Sequence, residues 1–344
     1  MSENPVPNYE VVPLRSDEIA VAVVQSPFST VDPHNPKKKI RENVEHMLWL
    51  IDEAQTNGYN PYSSAWGFHK DLIVFHECPI TGLNTKWSIE EELRIAIDVP
   101  GEETELIGKK AKEYNCYIAL GLWPAKDKDW PGHFLYMGIL IGPSGEIILK
   151  NWRRRNMTGL EFSTSVYDVL DEYVKKYGWD AVFPVARTDI GNIAFQPCLF
   201  EPEMTRVFAI KGGEILIRYM TAGASLRFEV PVLCATNKIY GIFVNQSISP
   251  KDVMVEDMEA GSSAVFDDIG KILAEASSPH ETIVATTIPI AAFRKRHSIP
   301  VIRKELFEQV YAEYVPKYPP NTFLQYLPKD IPDSIKHYRK IARW

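Results

Sequence analysis

Short apolar runs alternate with amphipathic stretches along most of this chain, and that alternation restricts the fold more than any other feature. Ile19 to Gln25, Leu72 to Phe75, Cys116 to Leu122 and Phe134 to Ile141 are apolar and of strand length. Between them, Asn43 to Gln55 places Val44, Leu48 and Ile51 at helical spacing, and Glu90 to Ile97 and Glu103 to Glu113 also read as helices. A second series follows. Ile193 to Pro197 is a short strand, Pro202 to Lys211 a helix stopped by Gly212-Gly213, Ile215 to Tyr219 a strand, and Phe228 to Thr236 a helix despite Pro231. Ile242 to Asn245, Val265 to Phe266 and Ile283 to Thr287 complete the strands. Such an order predicts an α/β fold with helices laid against a sheet; local pattern does not count the sheets.

Composition narrows the class. With 344 residues, 45% of them hydrophobic and 24% charged, the chain can bury a large core. A net charge of −7, without a basic stripe interleaved with aromatics, argues against a nucleic-acid partner. No apolar run approaches the roughly 20 residues of a membrane span, and Met1 to Ser16 lacks the basic-then-apolar plan of a signal peptide. Cys78, Cys116, Cys198 and Cys234 are scattered without C-x-x-C spacing, which fits a reducing cytoplasm and offers no zinc motif. The expectation is a cytoplasmic protein acting on a small molecule, with neither membrane nor nucleic acid as partner.

Reactive residues collect where strands stop. Cys198 follows Ile193-Ala194-Phe195-Gln196-Pro197, and a helical pattern resumes after Pro202. Open α/β sheets carry their chemistry at such strand ends. A thiol needs a base and a positive group to hold the oxyanion it creates. Glu77, at the end of Asp71-Leu72-Ile73-Val74-Phe75-His76-Glu77, is the candidate base. Asn151-Trp152-Arg153-Arg154-Arg155 supplies the cation, and Glu161 a second carboxylate. Taken singly, each residue has a plainer reading: a buried cysteine acting as a small hydrophobe, an ordinary strand-end carboxylate, a solvated basic cluster. Cys78, Cys116 and Cys234 keep that plainer reading. His76 is a pocket acid or a packed ring, and Asn245 and Arg218 read as hydrogen-bonding scaffold.

In this order, Glu, cation, second Glu, Cys, the chain resembles the nitrilase superfamily of carbon–nitrogen hydrolases, within it the aliphatic amidase and formamidase branch. The likeness also runs through Val99-Pro100-Gly101-Glu102-Glu103-Thr104, Gly145 to Lys150, Pro202-Glu203 with Arg206, Ala209 to Arg218, and Gly261-Ser262-Ser263 with Gly270. The resemblance implies a four-layer αββα sandwich over residues 19–293 after an N-terminal extension over 1–18; the stretch rich in Pro, Tyr, Lys and Arg over 294–344 reads as a C-terminal extension at an oligomer interface. It makes Cys198 the nucleophile, Glu77 the general base and Glu161 the second glutamate, and it puts the catalytic lysine position on Arg153, with no cofactor or metal in the mechanism. Eight residues separate Gly145 from Arg153 and eight more separate Arg153 from Glu161, which reproduces the family spacing. Lys150 on an extended segment points away from residue 153.

Several departures accompany the arginine. His76 and Cys78 replace the usual flanks of the base, Leu199 and Phe200 stand where an acidic residue is expected, and additional residues occur over Thr56 to Phe68 and Tyr167 to Val182. Segments added at strand ends reshape a site. Three readings stay open: a hydrolase of a small amide or related nitrogen compound through a cysteine thioester; a silent relative kept for binding or regulation; and an enzyme using the same thiol for transfer or nitrile processing. The resemblance also implies a homo-oligomer, a dimer or a multiple of dimers, formed through the helix Pro202 to Lys211 with Met204, Val207, Phe208 and Ile210, and the helix Phe228 to Thr236.

Overall fold

A strand covered on both faces needs apolar side chains at every position and not at every second one, and the first strand, β1 (Ile19–Gln25), is buried at all of its residues. The structure, a computed structural model, describes residues 8–27, 29–56, 69–196, 200–249 and 259–344. After β1 come β2 (Leu72–Phe75), β3 (Ile97–Asp98), β4 (Tyr117–Lys126), β5 (Leu135–Ile141) and β6 (Ile147–Trp152). The second half supplies β7 (Ala186–Thr188), β8 (Gly191–Phe195), β9 (Ile215–Tyr219), β10 (Tyr240–Val244), β11 (Ala264–Phe266), β12 (Ile272–Glu275) and β13 (Thr282–Ile288). The helices are α1 (Pro36–Thr56), α2 (Ile89–Ile95), α3 (Glu102–Glu113), α4 (Leu170–Tyr177), α5 (Pro202–Ile210), α6 (Glu229–Asn237), α7 (Ile290–Arg296), α8 (Glu308–Glu313) and α9 (Ile331–Ile341).

Two sheets form. One runs β13-β1-β2-β4-β5-β6 with β3 added beside β4, and the other runs β12-β11-β10-β9-β8-β7. Parallel pairing holds each centre, β1 with β2 and β2 with β4, β8 with β9 and β9 with β10. Their facing sides make one core, in which Val21, Val23 and Val74 meet Ile193, Ile217 and Ile242. The alternate residues Ala22, Val24 and Ile73 turn outward, onto Val44, Met47 and Ile51 of α1 and Ile107 of α3. On the far side Ala194 and Leu216 meet Met204 and Phe208 of α5, while Phe243 and Phe266 meet Val230 and Cys234 of α6. The order of layers is therefore helix, sheet, sheet, helix.

Several boundaries and two strands differ from the sequence reading. Helix α1 starts at Pro36 and not Asn43, since proline is tolerated in a first helical turn and Lys37-Lys38-Lys39 give no apolar period. Helix α2 stops at Ile95, because Ala96 turns extended and Ile97-Asp98 pairs with β4. Strands β7 and β12 are three and four residues long, too short for a period to register. The extra residues 57–68 lie outside the described residues, whereas Tyr167 to Val182 forms α4 between two 3-10 turns.

The stretch after Arg294 divides in two. Phe323 and Tyr338 pack in the same core as Val166, Val169 and Tyr173. There Asp168 accepts hydrogen bonds from Thr322 Oγ1 at 2.7 Å, Tyr338 OH at 3.0 Å and Ser165 Oγ at 2.5 Å. Leu306, Phe307, Val310 and Tyr311 on and beside α8 are instead exposed. Among the described residues, no helix is long and apolar enough to cross a membrane.

Candidate active site

Strand β2 delivers Glu77 just beyond its end, after four buried apolar residues. His76 turns into the interior. Its Nδ1 accepts the Cys78 N–H at 3.2 Å and its Nε2 lies 3.1 Å from Ser26 Oγ, an arrangement that fits a neutral ring protonated on Nε2. Burial pushes its pKa down to about 3. His76 is thus a packed, hydrogen-bonded residue. Cys78 Sγ lies 2.9 Å from Thr221 Oγ1.

Arg153 follows β6 by one residue, where its backbone N–H still donates to Tyr136 O at 2.8 Å. Its Nη2 meets Glu161 Oε1 at 2.5 Å and its Nη1 reaches to 3.8 Å from Glu77 Oε2. Arg153, Glu77 and Glu161 are 4%, 7% and 4% exposed, so the three charges interact with little screening. Glu161 is further fixed by the Met157 N–H, 2.8 Å from Oε2. The neighbouring cations serve other duties. Arg154 donates to Asn151 Oδ1 at 2.5 Å and packs near Phe183, Arg155 pairs with Glu201, and Lys150 binds Val99 O and Asp127 Oδ2, both at 2.8 Å.

Burial raises the Glu77 carboxyl to about 7, with Arg153 opposing that rise and Glu161 adding to it. Glu161 is raised as well, again by burial first. A carboxyl near neutrality can both take and return a proton at physiological pH. Arg218, fully enclosed on β9, donates to Gln196 O at 2.9 Å, and Asn245 donates to Glu259 O and Gly261 O, both at 3.0 Å. Both act as scaffold. The sequence-predicted nucleophile Cys198 lies outside the described residues; Gln196, two positions before it, hydrogen-bonds through its N–H to Ile217 O at 2.9 Å.

Glu77 and Arg153 border a tight crevice, without room for a water-sized sphere, walled by Trp123, Tyr136, Met137 and Tyr219. Tyr136 stacks on Trp123 with ring centroids 3.7 Å apart, and the Arg153 guanidinium sits 5.3 Å from the Trp123 ring. Sequence reasoning missed these walls. Each is a strand residue in an apolar run, indistinguishable by pattern from core.

Comparison with known proteins places this geometry in context. The carbon–nitrogen hydrolase family profile matches residues 20–297. A formamidase of Bacillus cereus (strain B4264) is 33% identical over 206 residues, 57% of this chain and 52% of the relative. A formamidase of Bacillus thuringiensis (strain Al Hakam) matches to the same extent. The chain thus spans about half the length of the curated relatives it matches. Among solved structures, a Saccharomyces cerevisiae member of branch 10 of the nitrilase superfamily superposes with a TM-score of 0.62 at 18% identity, over 86% of this chain and 99% of that one. An amidase from Nesterenkonia sp. gives a TM-score of 0.58 at 13% identity, over 85% and 96%. These two likenesses establish the shared two-sheet fold.

Proposed function

We propose, from the premise that the chain belongs to the carbon–nitrogen hydrolase family, that it hydrolyses a small amide through a thioester on Cys198. The observation that carries this reading is the convergence of Glu77 and Glu161 on Arg153 beside one tight crevice. In the first step Glu77 takes the Cys198 thiol proton, the sulfur bonds to the amide carbon, and the carbonyl electron pair moves to oxygen, held by the Arg153 charge. The tetrahedral species then collapses: the C–N bond breaks, and ammonia leaves with the proton from Glu77. Water, deprotonated by Glu77, cleaves the thioester and releases the acid. Glu161 keeps Arg153 in place. An arginine at this position holds charge without ever donating a proton near neutral pH, so proton traffic falls to Glu77. The formamidase relatives favour amides of few carbons.

Intact-mass spectrometry after incubation with amides, nitriles and hydroxamates tests the reading. An acyl adduct on Cys198 from amides is expected; an unmodified protein that releases no ammonia from any of them rejects it.

The outer helix layer also supports self-association. Ile210, Phe228 and Val232 on α5 and at α6 are 40%, 62% and 57% exposed, and exposed apolar side chains on an outer layer favour protein contacts. The exposed residues beside α8 lend the C-terminal extension the same role. Phe208, in contrast, is fully buried against the second sheet and belongs to the core.

A further inference from the structure

Asp168 takes no part in the reaction as written, yet its carboxyl ties the loop that carries Glu161 to the C-terminal extension. That loop, residues 156–163, is closed at its neck. Asn156 Nδ2 donates to Ser163 O at 2.6 Å, and Ser163 Oγ donates to Asn156 Oδ1 at 2.9 Å. Inside the loop Met157 O accepts the Glu161 N–H at 3.2 Å, while the Met157 N–H holds Glu161 Oε2. The two arms are laced together as well, Val166 N–H to Arg153 O at 3.0 Å and Tyr167 N–H to Arg154 O at 2.9 Å. The aim of the Glu161 carboxylate, and of the Arg153 fork it grips, therefore follows from the shape of this loop.

Asp168 fixes the neck. Its Oδ2 accepts from Asn156 Nδ2 at 3.0 Å, from the Ser165 N–H at 3.1 Å and from Ser165 Oγ. Asn156 then has both amide hydrogens and its oxygen engaged, and with Asp168 2% and Asn156 5% exposed, water does not stand in for a lost partner. The other oxygen belongs to the extension. Asn321 N–H donates to Tyr167 O at 2.9 Å and Phe323 N–H to Asp168 O at 3.0 Å, which sets Thr322 between them in register to reach Oδ1, where Tyr338 joins it.

We propose that Asp168 is a positioning residue for the Glu161–Arg153 pair, and that the C-terminal segment from Asn321 to Tyr338 belongs to the active centre because it completes the Asp168 clamp. The inference rests on the reading above, in which Arg153 holds the oxyanion. The clamp moves no proton and touches no substrate; it sets where Glu161 aims Arg153.

The donors around Asp168 also say which replacement preserves the clamp. On the Oδ2 side Asn156 Nδ2 and the Ser165 backbone present N–H groups, which cannot accept, whereas on the Oδ1 side Thr322 and Tyr338 present hydroxyls, which can. Asp168→Asn can keep its oxygen toward the loop and turn its amide toward the extension. Asp168→Ala keeps neither contact.

Hydrogen exchange over residues 156–163, with steady-state kinetics on formamide and acetamide, tests the proposal. Asp168→Ala is expected to speed exchange there about tenfold and to lower kcat about tenfold or more, with KM little changed. Asp168→Asn should recover most of both losses. Thr322→Val combined with Tyr338→Phe leaves the loop untouched and should shift exchange and kcat in the same direction; should Asp168→Ala fail to fold, this pair decides. Once Glu161→Ala is present, Asp168→Ala should lower kcat no further. Arg153 opposes protonation of Glu77, so the acid limb of kcat/KM should move to higher pH in Asp168→Ala and hold its place in Asp168→Asn. Unchanged exchange in the Thr322, Tyr338 pair, or additive losses in the Glu161→Ala background, overturns the proposal. A wild type inert to every amide rejects the amidase reading, and exchange then decides the clamp by itself; an active wild type with exchange and kcat unmoved in the Thr322, Tyr338 pair rejects this inference alone.

Discussion

Gly121 lies so close to Glu77 that a methyl group built on it would sit 2.3 Å from the Glu77 Cα atom and 2.8 Å from its Cβ. The Gly121 N–H also donates to His76 O at 3.0 Å, so β4 presses against the backbone that carries the proposed base. Gly121→Ala must push that backbone aside. Overpacking of this kind costs about 1–3 kcal/mol. The expected outcome is a folded protein of lowered melting temperature whose kcat falls more than tenfold, since a displacement of about 1 Å at a catalytic group can cost 10²-fold. Activity equal to wild type would show that the position of Glu77 does not govern turnover.

The protonation of Glu77 gives two pH dependences of opposite sign. Its carboxyl is raised by burial to about 7, and the base must be ionised, so kcat/KM should fall about tenfold per unit as pH drops below that value. For stability, a folded-state pKa above the unfolded one favours folding at low pH, and this contribution is lost as pH rises from the ordinary carboxylate range through about 7. Glu77→Gln should therefore gain melting temperature over wild type at pH 8 and gain none at pH 4, while losing activity at both. Calorimetric scans at the two pH values check this; a uniform shift across pH would assign the effect to packing.

Arg153 balances two buried carboxylates, so its truncation acts twice. Arg153→Ala is expected to lower kcat by about 10²–10³ through the lost charge at the oxyanion. It should also destabilise the fold by about 3–5 kcal/mol, because Glu161 is left buried and unpaired. Arg153→Lys separates the effects by keeping the charge. Gain of acetamide hydrolysis in the lysine variant would mark the arginine as a detuning change. Loss would show that the planar fork, which reaches Glu77 and Glu161 at once, is required.

Thiol reactivity distinguishes the four cysteines. Cys78, Cys116 and Cys234 are buried, and burial raises all three thiols, Cys116 to about 11. Iodoacetamide at neutral pH should label Cys198 first in the folded protein, with the others reacting only on denaturation. Peptide mapping that finds Cys116 or Cys234 modified as fast as Cys198 would argue against a nucleophile.

Self-association should respond to a charge on the exposed apolar patch. Val232→Glu is expected to shift the protein from a dimer or larger species toward 39.2 kDa in sedimentation at micromolar concentration, without loss of helix content. A wild type that sediments only as the monomer removes the proposed interface.

The α/β class was legible because β1, β2 and β5 are nearly unbroken apolar runs, Glu77 because it follows such a run, and Arg153 and Glu161 through their spacing from Gly145. The sheet partition was not, since nothing local distinguishes Val21, facing the second sheet, from Ala22, facing α1. Nor was Arg153 distinguishable from Arg154 by type; the turn out of β6 sends one to the crevice and the other against Phe183. Glu92 sits in the acidic start of α2, where only tertiary packing encloses it.

The bonds from Asp168 to Thr322 and Tyr338 join residues 154 and 170 positions apart. A chain leaving the ribosome exposes Arg153 and Glu161 long before either partner emerges, and contacts of that span form late. The segment that follows Glu161 therefore acquires its brace only once the C-terminal stretch is available.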